Sequence, residues 1–135
     1  MKKSILSIIL ISILCLVGGC NNNTNDNVIR DIDYDLTKMS PSAQVEQLLN
    51  IYENGSDYVG KTIMLKGKYN KSVYSNKTYH ICNIADGNGD YNYSIEFITE
   101  QKYPEVNKII TISGTLNKYN EDGQMYLQII DAKVK

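Results

Sequence analysis

Two stretches of this chain alternate side chains with period two and carry a glycine in the apolar register. From Lys61 to Tyr69, Ile63, Leu65, Gly67 and Tyr69 alternate with Thr62, Met64, Lys66 and Lys68. From Asn107 to Leu116, Ile110, Ile112, Gly114 and Leu116 alternate with Ile109, Thr111, Ser113 and Thr115. Alternation of this kind places one set of side chains on a buried face. A glycine inside a strand lets it bend sharply, as a small barrel requires at its corners. Asp57 to Tyr69 therefore holds the first committed strand, and three more are expected at Tyr79 to Ala85, Tyr91 to Ile98 and Met125 to Val134. Five short strands with bends in the first and fourth predict a mainly β chain closed as a small barrel.

The connections are read from turn chemistry. Asn70 to Thr78 is a long polar loop, Asp86-Gly87-Asn88-Gly89-Asp90 a concentrated turn, and Asn117 to Gln124 a second polar loop with its turn at Asn120 to Gly123. Upstream, Ser40-Pro41 starts a helix, the hydroxyl capping free amides and proline taking the first helical position. Val45, Leu48, Leu49 and Tyr52 follow at helical spacing, and Gly55 ends the pattern. The expected architecture is one N-terminal α-helix packed by one stripe against the barrel, the two together spanning 39–135. In Val28 to Lys38, Ile32, Tyr34 and Leu36 alternate with three aspartates; the acidic face favours an extended tether over an added edge strand.

The leader has its own order. Lys2 and Lys3 precede an apolar run from Ile5 to Val17, shorter than the about 20 residues of a membrane span, and the run ends in Val17-Gly18-Gly19-Cys20. This resembles the signal peptide and lipobox of bacterial lipoproteins. The resemblance implies removal of residues 1–19, lipid on Cys20 and an extracytoplasmic location on the bacterial cell membrane; the polar run Asn21 to Asn27, with nothing to bury, makes 20–38 a flexible tether. Cys15 leaves with the leader, so Cys82 stands without an intrachain partner and reads as a small buried thiol. His80, two residues away, shares its strand face but brings no third group to orient the pair.

The phrases Tyr58-Val59-Gly60-Lys61-Thr62-Ile63, Lys66-Gly67-Lys68-Tyr69, Ile95-Glu96-Phe97, Tyr103-Pro104-Glu105-Val106 and Ile112-Ser113-Gly114-Thr115-Leu116, with Asp131-Ala132, are similar to those of small bacterial OB-fold lipoproteins and envelope proteins. The resemblance covers roughly 58–134 and implies a five-stranded OB-like Greek-key barrel.

Charge and composition narrow the function classes. The chain counts 14 Lys plus Arg against 15 Asp plus Glu, and export with a slightly acidic balance opposes nucleic-acid binding. Eleven tyrosines beside one phenylalanine and no tryptophan supply amphipathic rings. Tyr69, Tyr74, Tyr79, Tyr93, Tyr119 and Tyr126 offer stacking surfaces near the loops that flank the binding face in many OB-folds, and all but Tyr93 are taken as ligand-binding candidates. Asp86, Asn88 and Asp90 stand at positions one, three and five of a calcium-loop pattern, which then fails at Tyr91 and Phe97. No cofactor is expected beyond that weak calcium site, and no catalytic residue is assigned. The expected function is a membrane-anchored extracytoplasmic binding or adaptor module whose OB-like face takes an envelope glycan, peptide or protein. The alternative is a small metal-dependent or carboxylate-based hydrolase using Glu96, Asp86 and Asp90, or Glu96 paired with Asp131 as acid and base.

Overall fold

The computed structural model describes residues 31–135, so the expected signal peptide, Cys20 and the Asn-rich run lie outside the described residues. Its longest strands are β2 (Thr62–Tyr74) and β5 (Ile109–Glu121), the two that carry the mid-strand glycines. The first half of β2 pairs antiparallel with β5, from Thr62 opposite Thr115 to Lys68 opposite Ile109. Its second half pairs with β3 (Lys77–Ile84), from Lys68 opposite Asn83 to Tyr74 opposite Lys77. The exchange of partners falls beside Gly67, where a Cβ would collide with the Asn83 carbonyl and lie 2.7 Å from Cys82 Sγ. The missing side chain is what admits the neighbouring strand. Gly114 plays the same part in β5: a Cβ there would lie 2.7 Å from Ile129 Cγ2, and the pairing with β6 (Gln124–Val134) shifts register between Ser113 and Thr115.

β3 pairs antiparallel with β4 (Tyr93–Phe97), and β4 pairs parallel with β6 at Glu96–Gln128 and Phe97–Ile129. The order β2-β3-β4-β6-β5, returning to β2, closes a five-stranded barrel. Its inside is filled by Ile63, Leu65, Tyr69, Ile95, Phe97, Ile112, Leu116 and Ile129, all almost wholly buried.

Two expected loops are strand. Asn70 to Tyr74 and Lys77 onward continue as a hairpin arm that turns on Ser75 (φ 48°) and Asn76 (φ 63°). Asn117 to Glu121 and Gln124 onward form a second arm turning on Asp122 (φ 51°) and Gly123 (φ 82°). Consecutive left-handed residues in a two-residue connection match the twist of the flanking strands.

The segment before the barrel also differs from expectation. Tyr34–Asp35 (β1) lies parallel to Ile63–Met64 of β2, a single 3₁₀ turn follows at Leu36–Lys38, and Leu36 is fully buried. The edge strand set aside in favour of a tether is therefore present, its start fixed by Asp33 Oδ2 accepting from Thr62 N at 2.8 Å. One helix is expected, and among the described residues there are two α-helices: α1 (Pro41–Glu53), with Ser40 as its N-cap, and α2 (Gly55–Tyr58), a single turn that holds Asp57 and Tyr58 out of the first barrel strand. The buried stripe of α1 is Val45, Leu48 and Ile51, whereas Leu49 and Tyr52 are 42% and 44% exposed. The stripe is rotated toward Ile51 because α1 must cover Leu36 and Tyr58 as well as the barrel.

Candidate functional site

β4 has five residues, against eight in β3 and eleven in β6. Since β4 meets β6 at only two positions, the two arms continue past it and leave a groove of about 330 Å³. Tyr79 and Ile81 of β3, Ser94 and Glu96 of β4, Tyr119 and Glu121 of β5 and Tyr126 and Leu127 of β6 line it, with Tyr74 and Asp122 near the arm tips and Tyr52 from α1.

Hydrogen bonds set the rings in place. Tyr119 donates to Glu96 Oε2 at 2.6 Å, Tyr79 to Glu121 Oε2 at 2.8 Å, and Tyr52 to the Ser94 carbonyl at 2.7 Å. The Tyr119 and Tyr126 rings stack with centroids 5.6 Å apart. Lys77 at the tip of one arm donates to Glu121 Oε1 of the other at 2.6 Å, and its ammonium lies 4.7 Å from the centroid of Tyr79 and 5.5 Å from that of Tyr119. Burial, followed by the bonded Glu96 carboxylate, pushes the Tyr119 hydroxyl well above the ordinary phenol range. The hydrogen bond to Glu121 raises Tyr79, and burial of the hydroxyl end raises Tyr52 to about 12. Glu121 itself is lowered, first by Lys77 and then by Tyr79. These phenols are fixed as donors at neutral pH, and they present ring faces rather than free hydroxyls to the groove.

The tyrosines named from sequence separate into two groups. Tyr74, Tyr79, Tyr119 and Tyr126 come together here: Tyr119 and Tyr126 are register partners within one arm, and β4, paired with both β3 and β6, brings that arm beside the one that carries Tyr74 and Tyr79. Tyr69 does not: it is 2% exposed, bonds His80 Nδ1 at 2.7 Å through its hydroxyl, and packs on Phe97. Tyr93 is half-buried against the core. Tyr52, Lys77 and Glu121 belong to the site and were missed, the first as helix packing and the others as loop.

The remaining candidates lie elsewhere. Asp86 Oδ1 accepts from the amides of Asn88 (2.8 Å) and Asp90 (3.0 Å), so this carboxylate closes its own turn. Among the described residues no group of three His, Cys, Asp or Glu side chains converges on a point that could hold a metal ion. Glu96 lies in the groove and Asp131 outside it, exposed on β6 with φ 53°. His80 stacks on Tyr103 with centroids 3.4 Å apart, and the Cys82 thiol is buried and pushed up to about 12. No family model, curated protein or solved structure matches the chain.

Proposed function

We propose that the chain is an extracytoplasmic binding module, held to the bacterial membrane by lipid on Cys20, with a barrel of OB type whose groove takes an envelope glycan, peptide or protein. The observation that carries the binding role is the groove itself: four tyrosines from four strands, two of them oriented by hydrogen bonds to part-buried carboxylates, on an open surface. Rings so held supply contact area at little entropic cost. The five-strand closure and the bends at Gly67 and Gly114 support the OB assignment. The location rests on the leader and its terminal Gly18-Gly19-Cys20.

The test is thermal unfolding of the full chain against a panel of envelope glycan fragments and peptides. A ligand of the groove raises the melting temperature, and Tyr119→Ala abolishes the rise while leaving the protein folded. If no member of the panel moves the transition, the small-ligand form of the reading fails. Crosslinking in intact cells then asks whether a protein covers the groove.

A further inference from the structure

The polar character of the groove is one-sided. Its lining holds Glu96, Glu121 and Asp122 and no basic residue. Among the described residues, Lys77 reaches across to it from the opposite arm tip and rests beside the faces of Tyr79 and Tyr119 while bonding Glu121. A carboxylate and two ring faces gathered round one ammonium are the components of a cation-binding cage. Both phenol hydroxyls there are committed to Glu96 and Glu121, which leaves the negative faces of the rings as the groups to be met.

Building on the binding role proposed above, we infer that the groove recognises an alkylammonium group, and that Lys77 is its intramolecular stand-in, displaced when the ligand enters. The Lys77 side chain is 51% exposed. An ion pair so open to water contributes little and is readily exchanged. While it occupies the cage, Lys77 lowers the apparent affinity by the fraction of time that the cage is filled.

The experiment titrates the ¹⁵N-labelled full chain, in a polyoxyethylene detergent, with three probes: choline, its neutral isostere 3,3-dimethylbutan-1-ol, and a neutral N-acetylglucosamine tetramer. Choline is expected to shift the amides of Tyr79, Tyr119, Glu121 and Tyr126 and to bind at least about tenfold more tightly than the isostere. Lys77→Met keeps the aliphatic stem and frees the cage, and it tightens choline binding by about fivefold. Tyr119→Leu weakens it by about tenfold, with thermal unfolding confirming that this variant is folded. Equal binding of choline and its isostere, or unchanged choline affinity in Lys77→Met, overturns the inference. Groove shifts with the tetramer but not with choline overturn the cation preference and leave the binding role standing. Silence from all three probes counts against both.

Discussion

Single residues decide where this barrel turns and how it responds to pH. At Gly67 an alanine methyl meets the Asn83 carbonyl and Cys82 Sγ, and neither backbone nor buried neighbour can withdraw. Gly67→Ala is therefore expected to cost about 3 kcal/mol in urea unfolding. His80 has its ordinary value near 6.5 lowered, first by burial and then by Lys71. Below 6.5 the unfolded chain takes up the proton before the folded one, so stability falls as pH drops through that window. His80→Gln should flatten the unfolding free energy between about pH 5 and 7, relative to the parent chain.

Among the elements, α1 and the hairpin arms show what the sequence exposes and what it hides. Leu48 is 1% exposed and Leu49 is 42% exposed. Leu48→Ala should cost about 3 kcal/mol and Leu49→Ala less than about 0.5, measured by the same denaturation. The barrel halves of β2 and β5 were legible because one face is buried and the period of two survives: Ile63, Leu65, Ile110 and Ile112 alternate with half-exposed or exposed neighbours. Beyond Asn70 that signal vanishes. Lys71, Ser72, Val73 and Tyr74 are all exposed, so both faces of the arm meet water and no alternation marks it as strand. The Ser75-Asn76 turn adds only a weak cue, since the favoured pair for this geometry ends in glycine. Asn76→Gly relieves the left-handed strain and should raise stability by about 0.5 kcal/mol, read as a higher denaturant midpoint. The groove shared this fate: its rings could be named one by one, but their convergence depends on arms read as loops, and Tyr52 reaches it from a helix face assigned to packing.

For the whole molecule, the arms are joined at their tips by Lys77 and Glu121, 44 residues apart in sequence. Glu121 is lowered by Lys77, so the link contributes above the ordinary glutamate value and is lost as pH falls through the lowered one. Acidification below about pH 4.5 should thus lower the melting temperature. Glu121→Gln should show a smaller fall over the same range. Asp35, the last residue of β1, is held low by Thr37 and Lys38, acts in the same direction and leaves a residual slope in that variant.

The meeting of β4 and β6 has a mechanical consequence. The ring of strands is joined there by two register pairs, Glu96–Gln128 and Phe97–Ile129, and by the bonds of Ile98 N to Ile129 O and Ala132 N to Ile98 O just beyond them. Every other junction in the hoop is longer. A hoop under thermal strain parts at its shortest weld, so the first breach of this barrel opens along the floor of the tyrosine groove. Whatever fills that groove acts as a rivet across the weld, and protection of the Ile98 and Ala132 amides from exchange is the place to see it.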